Sequence, residues 1–372
     1  MIDSHFPLAP FWALSSLVNE VSAPQGELVS LERIEGKTGR LLQGEGESNA
    51  NGRQFRKDDV LFGKLRPYLA KYWLADRPGT AQGDIHVYRP TLRTDPRFLA
   101  YIVGSDYFTG LADTSSTGSK MPRVEWPKVA QFRVPFPPRR TQRAIADYLD
   151  RETAEIDAMT ADLDKVEALL TERRVAYIGR AVRTISGPSK RVCLQSIARI
   201  HAGETITAAD IEDDGLFAVY GGNGVRGYAD RANEEHDRVL VGRQGALCGN
   251  VHLARGPFFA SEHALVVEPH IDVDLEWLAL VLSDQNLGQL SMSAAQPGIT
   301  AMGVGLQKID MPGMDEQRRI AAQIDRETAE IDAMLADIME LRGLLAERRA
   351  AVIAAAVNGQ IDIPTAEEPT HA

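Results

Sequence analysis

"DRETAEIDAM" stands at residues 150–159 and again, letter for letter, at residues 325–334. An identity of ten residues at an offset of 175 indicates an internal duplication. Extended without a gap, the repeat covers "TQRAIADYLDRETAEIDAMTADLDKVEALLTERRVAYIGRAV" at 141–182 and "EQRRIAAQIDRETAEIDAMLADIMELRGLLAERRAAVIAAAV" at 316–357. Each copy follows a segment of unlike sequence. The chain is therefore predicted to alternate variable domain, helix, variable domain, helix.

Both copies carry apolar residues at alternating spacings of three and four, which is the pattern of a coiled-coil seam. Eight of ten seam positions in each copy are apolar, and the other two hold a Glu and an Arg at matched places. A helix this polar on its outer face is marginal alone, so each seam needs a partner helix. The seam residues that we assign are Ile145, Leu149, Ile156, Met159, Leu163, Val166, Leu170, Ile320, Ile324, Ile331, Met334, Ile338, Leu341 and Leu345.

Two arrangements satisfy such seams: a coiled-coil dimer of identical chains, or pairing of the two helices within one chain. The second is favoured because a single chain carries both matched copies. Antiparallel pairing returns the second helix to the first domain. It predicts a pseudo-two-fold rod of about 60 Å with one domain at each end. The predicted fold class is α+β, with two mixed-sheet domains joined by two long antiparallel helices that form an intramolecular coiled coil.

The predicted organisation has five parts. Within the variable domains, short apolar runs broken by Gly, Pro and Asp predict strands and tight turns. A short helix at 98–108 in one domain and at 275–287 in the other precedes a polar loop. The parts are a first domain at 1–138, a central helix at 139–185, a second domain at 186–313, a C-terminal helix at 314–360 and a flexible tail at 361–372.

The 372-residue chain has a net charge of −11, which is unevenly distributed. Residues 1–138 hold 17 basic and 15 acidic residues, whereas residues 186–312 hold 9 and 16. An acidic total does not exclude nucleic-acid binding, because binding depends on local basic surface, but it predicts a weak grip by this chain alone. The only two cysteines, Cys193 and Cys248, are typical of a reducing cytoplasm.

Basic, amide and aromatic residues in the loops are candidates for phosphate and base-edge contact. Each also has a structural alternative, since Asn in a Gly-rich turn usually serves a left-handed backbone and a histidine such as His263 is more often a hydrogen-bonded structural residue than a ligand. The candidates in the first domain are Lys64, Arg66, Tyr68, Lys71, Lys120 and Arg123. Those in the second domain are Asn223, Arg226, Arg243, Gln244, His263 and Gln296.

Motifs for chemistry are missing from the sequence. It contains no GxxxxGK[ST] phosphate loop, no HExxH and no CxxC, and it lacks the Asn/Asp-Pro-Pro-aromatic tetrad of DNA amino-methyltransferases. We therefore predict no catalytic residue and no metal site in this chain.

The chain resembles the specificity (S) subunit of type I restriction-modification enzymes over essentially its full length. The strongest part is the duplicated Q-R-x-I-A…D-R-E-T-A-E-I-D-A-M…E-R-R helix. One departure is "MPGMDEQ" at 311–317, where the family usually has a Pro-Pro step before the helix. Further matching motifs are "LFGKLRPYLAKYW" at 61–73, "STGSKMPRVEW" at 116–126, "YGGNGVRGY" at 220–228, "VGRQGALCGNV" at 241–251 and "SEHAL" at 261–265.

The resemblance implies a non-catalytic subunit whose two target recognition domains each read one half of an asymmetric, double-stranded DNA site. The helices act as a ruler that sets the spacer and dock two methyltransferase (M) subunits, which use S-adenosylmethionine to methylate adenine. Restriction (R) subunits that need ATP and Mg join to cut unmodified DNA, and this chain itself holds no cofactor. The alternative, which the low net basicity favours, is a coiled-coil adaptor that bridges two protein partners without binding DNA.

Overall fold

The protein folds into two compact units, and each contains one mixed-sheet domain and part of both long helices. Unit 1 comprises residues 1–163 and 339–372, and unit 2 comprises residues 164–338. The computed structural model describes residues 4–44, 51–245, 247–291 and 297–363.

Unit 1 is built mainly from short strands. They are β1 (Leu8–Pro10), β2 (Ser15–Leu17), β3 (Val21–Ser22), β4 (Glu27–Val29), β5 (Gly52–Phe55), β6 (Val60–Gly63), β7 (Tyr72–Leu74), β8 (Gly79–Ala81), β9 (Ile85–Pro90) and β10 (Arg133–Pro135). Its short helices are α1 (Pro96–Gly104), α2 (Asp106–Thr114) and α3 (Trp126–Val129). Within the described residues they form a sheet in the order β2-β9-β6-β7, a mixed sheet β3-β5-β8-β4 and a ribbon β1-β10.

Unit 2 repeats this plan with a different sequence. Its strands are β11 (Ser189–Cys193), β12 (Ala198–Ala202), β13 (Phe217–Gly221), β14 (Gly224–Ala229), β15 (Arg238–Gly242), β16 (Val251–Ala254), β17 (Phe259–Ala260), β18 (Ala264–Pro269) and β19 (Lys308–Pro312). Its short helices are α5 (Leu275–Asp284) and α6 (Ala301–Gly305). The order β12-β18-β15-β16 matches β2-β9-β6-β7, and the ribbon β11-β19 matches β1-β10. A second sheet of unit 2 has the order β14-β13-β17, in which β13 and β17 run parallel. The mixed-sheet prediction is therefore confirmed for both domains.

Two short elements differ from the sequence prediction. The helix expected at 98–108 is split at Ser105, whose side chain accepts a hydrogen bond from the Phe108 amide at 3.3 Å and so starts α2 anew. The helix expected at 275–287 ends at Asp284, and a 3-10 turn follows at Leu287–Leu290. The apolar periodicity runs across both breaks, but a side-chain cap at Ser105 and a left-handed backbone at Asn286 (φ 48°) interrupt the helix.

The repeat forms two long helices of nearly equal length. Helix α4 (Arg139–Arg183) has 45 residues and α7 (Met314–Val357) has 44. Pro137 and Pro138 precede α4 and favour an extended entry to it. No helix in the described ranges combines the length and apolarity that crossing a membrane requires.

Within each unit the two long helices run antiparallel. In unit 2, Arg174 pairs with Asp332 at 2.8 Å, and the Tyr177 hydroxyl lies 3.1 Å from the side-chain amide of Gln323. The α4 residue number therefore rises as the α7 number falls. In unit 1 the same pair recurs at the offset of 175, where Arg349 meets Asp157 at 2.7 Å. Each "DRETAEIDAM" thus binds the "ERR" of the other copy, which confirms the predicted antiparallel pairing.

Each domain packs on one end of both long helices within its own unit. The core of unit 1 includes Ile145 and Leu149 near the start of α4 and Ile353 near the end of α7. The core of unit 2 includes Ile178 near the end of α4 and Ile320 near the start of α7. The long helices are therefore part of both domain cores.

Burial along the predicted seam varies. Eight of the assigned residues are buried, namely Ile145, Leu149, Ile156, Leu170, Ile320, Ile324, Ile331 and Ile338. Leu163 and Leu345 are half-buried. The other four, Met159, Val166, Met334 and Leu341, expose between 40% and 46% of their surface. A seam covered by a single helix leaves the outer side of some seam residues in solvent, because a dimeric coiled coil has only one partner face.

Candidate nucleic-acid interface

In unit 1 the six candidate residues lie on two loops that form one surface. The loop 64–71 follows β6, and its Leu65 forms an isolated antiparallel bridge with Arg123 of the loop 114–126. The Arg66 amide donates to the Pro122 carbonyl at 2.8 Å, and the Val124 amide donates to the Lys64 carbonyl at 3.1 Å. Backbone pairing therefore joins these loops, which we call the loop pair.

Asp84 organises the charges of the loop pair. Arg123 donates to its two carboxylate oxygens at 3.0 and 2.8 Å. Lys64 lies 4.0 Å from Asp84 and 3.3 Å from Glu125. The hydrogen bond from Arg123 lowers the pKa of Asp84, so the carboxylate stays ionised. The positive charges of Lys64 and Arg123 are therefore partly neutralised. Either side chain would contact a DNA phosphate while it is still paired with Asp84 or Glu125.

Among the candidate residues of the loop pair, Arg66, Tyr68 and Lys120 are exposed. Arg66 and Lys120 make no side-chain hydrogen bond or ion pair with any described residue. Arg66 (φ 50°, ψ 64°) and Ala70 (φ 47°, ψ 45°) have left-handed backbones and flank a 3-10 turn. That conformation costs roughly 1–2 kcal/mol in a residue with a side chain, and such strain is concentrated at functional sites. The strain presents Arg66 and Tyr68 to solvent.

Lys71 has a different place. Its ammonium group donates to the Leu31 carbonyl at 2.8 Å, and the residue is half-buried. The structure thus uses Lys71 to hold a neighbouring turn of unit 1, so it is the weakest DNA candidate in this group.

Sequence reasoning missed His86, which lies beneath the loop pair. It is buried, and its Nδ1 lies 3.0 Å from the Tyr88 hydroxyl. Burial lowers the pKa of His86 to about 3, with help from the charges of Lys64 and Arg53. The imidazole is therefore neutral at ordinary pH and adds no positive charge to the surface above it.

In unit 2 three Gly-rich segments converge. The Arg243 amide donates to the His263 carbonyl at 2.8 Å, and the Ser261 amide donates to the Tyr220 carbonyl at 3.0 Å. A Cβ atom on Gly242 would collide with the carbonyl oxygen of Gly222, so glycine is required where these strands approach. The convergence places the segments 220–224, 242–245 and 261–264 side by side, and we call them the glycine cluster.

The glycine cluster presents amide and imidazole groups. His263 Nδ1 lies 3.1 Å from Gln244 Oε1, and Nε2 lies 3.3 Å from Glu262. The Asn250 side chain donates to Asn223 Oδ1 at 2.7 Å. Amide side chains match the paired donor and acceptor of an adenine edge, so this set suits base reading better than phosphate binding.

The remaining candidates of unit 2 differ in their side-chain contacts. Arg226 on β14 is exposed and forms no side-chain hydrogen bond or ion pair with the described part of the chain. Arg243 donates to the Glu262 carbonyl at 3.3 Å and is half-buried. Gln296 lies outside the described residues, although Gly298 after it forms a bridge with Gln244.

The described ranges contain no cluster of three or more His, Cys, Asp or Glu residues that could hold a metal ion. Cys193 and Cys248 are both free thiols. The candidate residues of the two surfaces carry charged, amide, imidazole and aromatic side chains.

Comparison with known proteins identifies one family. The model of the type I restriction modification DNA specificity domain matches residues 36–168 and 188–338. The specificity subunit of the type I restriction enzyme EcoprrI from Escherichia coli is 37% identical over 141 residues, which are 37% of this chain and 35% of that protein. The EcoDI specificity subunit of Escherichia coli is 22% identical over 130 residues, 35% of this chain and 29% of that protein. These matches span about a third of each relative's length.

One solved structure is similar over nearly the whole chain. It comes from work on complex assembly and conformational transition of the type I R-M system, and it covers 96% of this chain and 98% of its own with a TM-score of 0.67. The sequences are 18% identical, so the likeness shows the fold. It confirms the predicted α+β class with two long helices.

Proposed function

The chain belongs to the family of type I restriction-modification specificity subunits, and we propose that it reads a bipartite, asymmetric site on double-stranded DNA. Unit 1 reads one half-site through the loop pair, and unit 2 reads the other through the glycine cluster. The observation that carries this proposal is that both units share the order of one four-stranded sheet and of the two-stranded ribbon but present different side chains. When two domains share a scaffold but carry different base-contacting side chains, they recognise different half-sites.

The long helices set the spacer between the half-sites. They have 45 and 44 residues, so each is roughly 66 Å long at 1.5 Å per residue. A length of this order corresponds to roughly 20 base pairs. Each helix contributes to both domain cores, which supports a role for helix length in setting the number of unread base pairs.

Partner subunits supply the chemistry. Apolar side chains along α4 and α7 are exposed to solvent, including Leu169 at 64% and Met339 at 71%. Exposed apolar surface of this kind marks protein docking sites. We assign it to two methyltransferase subunits that bring S-adenosylmethionine, with restriction subunits that use ATP and Mg²⁺. In this cytoplasmic complex the present chain contributes recognition and no catalytic group.

The decisive experiment maps methylated adenines in host cells with and without this chain. A motif of two short defined blocks around an unspecified spacer is expected, and it should vanish on deletion of the chain. Restoring the chain on a plasmid is the control and should restore the motif. A methylome that deletion leaves unchanged would contradict the proposal.

The net charge of −11 favours a second candidate, a coiled-coil adaptor between two proteins. Gel shifts of the complex with its methyltransferase subunits at 50 and 200 mM salt separate the two functions. DNA recognition predicts retention at low salt that weakens more than tenfold at high salt, because phosphate contacts release counterions. An adaptor retains no DNA at either concentration.

A further inference from the structure

Because of the duplication, the contact between a domain's short helix and the long helix occurs twice, as α1 on α4 and as α5 on α7. We call this contact the joint. In unit 1 the amide of Asp95, the N-cap of α1, donates to the buried Gln142 of α4 at 2.8 Å. In unit 2 the amide of Asp274, the N-cap of α5, donates to the buried Gln317 of α7 at 2.9 Å. Residues counted from these two N-caps therefore occupy equivalent places against the long helices.

In unit 1 this joint is filled by the chain itself. The Tyr101 hydroxyl donates to Asp150 at 2.7 Å and lies 3.3 Å from the Thr153 hydroxyl. The Arg97 guanidinium bridges Asp150 at 2.7 Å and Asp147 at 2.8 Å. Asp150 thus receives a phenol and a guanidinium from α1.

In unit 2 the donors are missing. Glu276 stands at the place of Arg97 and Leu280 at the place of Tyr101, while Asp325 and Thr328 correspond to Asp150 and Thr153. A cavity of about 250 Å³ lies here, and these four residues of unit 2 are among those that line it. The acceptors of the joint are thus kept and the donors are lost.

The charges of the cavity define what fits it. Asp332 on its rim pairs with Arg174 at 2.8 Å, and Glu276 pairs with Arg255 at 2.7 Å. The Asp325 carboxylate has no side-chain hydrogen bond or ion pair within the described residues. Arginines thus compensate Glu276 and Asp332, and the exposed Asp325 gives the cavity its excess negative charge. Apolar side chains including Leu280 also line the cavity. A guanidinium on an aliphatic stem matches both features.

We propose that this cavity receives an arginine side chain from a partner protein, which restores in trans the donor that Arg97 supplies in unit 1. Unit 1 supplies the hydrogen-bond donors of its own joint, so only unit 2 offers this site to a partner. The identification of the partner as a methyltransferase subunit rests on the function proposed above. The recognition of arginine rests on the joint alone.

The direct test titrates the full chain with N-acetyl-arginine amide and follows the methyl signals of leucines that line the cavity. Saturable binding is expected, and the uncharged isostere N-acetyl-citrulline amide should bind at least fivefold more weakly. Asp325→Asn should weaken arginine binding at least fivefold. The matched variant Asp150→Asn removes the carboxylate that is already engaged in unit 1 and should leave arginine binding unchanged.

A second variant fills the cavity. Leu280→Tyr places the phenol of unit 1 at the equivalent position and should abolish arginine binding while the chain keeps its Tm. In the assembled complex, Leu280→Tyr should lower the affinity of the methyltransferase subunit for this chain at least tenfold. Equal citrulline binding, an unaffected Asp325→Asn variant, tighter binding of N-acetyl-tyrosine amide or unchanged subunit affinity would each overturn the proposal. The titration contains no DNA, so its failure is distinguishable from failure of the methylation motif.

Discussion

At the scale of single residues, Lys120 and Lys71 separate two uses of one side-chain type. Lys120 is exposed and unpaired among the described residues, whereas Lys71 donates to the Leu31 carbonyl at 2.8 Å. Lys120→Ala should weaken binding of cognate DNA by roughly 1–3 kcal/mol if it contacts a base edge, or lower the salt slope by about one if it contacts a phosphate. Fluorescence anisotropy with the assembled complex measures both.

The matched variant for this prediction is Lys71→Ala. It should lower the urea midpoint of unit 1 and leave the salt slope of DNA binding unchanged. Equal effects of the two substitutions on the salt slope would show that the distinction drawn from their contacts is wrong.

His86 predicts a pH dependence of stability. The pKa of His86 is lowered by burial from 6.5 to about 3, so the folded state resists a proton that the unfolded state accepts below pH 6.5. The free energy of unfolding should therefore fall as the pH drops from 6.5 towards 3, by up to about 1.4 kcal/mol per pH unit. The lowered pKa of Asp84 adds a loss in the same direction below pH 3.8.

Urea unfolding at pH 6.5, 5.5 and 4.5 checks this dependence. His86→Gln should flatten the curve, because the group that takes up the proton on unfolding is gone. The exposed His236 offers a matched variant, and His236→Gln should keep the wild-type slope. A wild-type slope in His86→Gln would assign the acid sensitivity to other groups.

At the scale of elements, the two Arg–Asp pairs between α4 and α7 are identical in sequence but differ in burial. The Arg349 side chain is 14% exposed, lies near the Thr38 carbonyl at 3.3 Å, and shares Asp157 with Arg40. The Arg174 side chain is 39% exposed. Arg349→Ala should cost about 2 kcal/mol or more, since it leaves a half-buried carboxylate less compensated. Arg174→Ala should cost about 0.2–1 kcal/mol.

Urea denaturation of both variants tests this ranking, with each arginine serving as the control for the other. Similar losses would mean that pairing itself, rather than its surroundings, determines the contribution to stability.

The helices were the predictable part of this fold, because periodicity and duplication are local signals. The structure places α4 at Arg139–Arg183 against a predicted 139–185, and α7 at Met314–Val357 against 314–360. The loop surfaces were predictable only as lists of residue types. The left-handed Arg66 precedes a proline, where an extended backbone is the usual expectation. Lys71 donates to the Leu31 carbonyl, which lies 40 positions away in the chain, and no local sequence pattern predicts this contact.

At the scale of the whole molecule, the two units divide the long helices at matched points. The divisions fall after Leu163 and after Ile338, which are 175 residues apart like the repeat itself. Insertion of one apolar-patterned heptad at both points should preserve the seam and lengthen each helix by about 10 Å. The methylation motif should then keep both half-sites and gain about three base pairs of spacer.

Insertion at one point only is the matched control, because it lengthens one helix against an unchanged partner and should lower the Tm. Methylome mapping reads the spacer directly. A change in the bases of either half-site, with the spacer constant, would refute the role of the helices as a ruler.

The recurring Arg–Asp pair also bears on ancestry. Each half of the chain carries both members, Asp157 with Arg174 in the first and Asp332 with Arg349 in the second. An ancestral protein half as long could have formed both pairs as a homodimer, and such a symmetric dimer would have recognised a palindromic DNA site. After tandem fusion of two such genes, the two copies no longer had to be identical. One copy could keep its strand order while its loop sequences changed to recognise a different half-site.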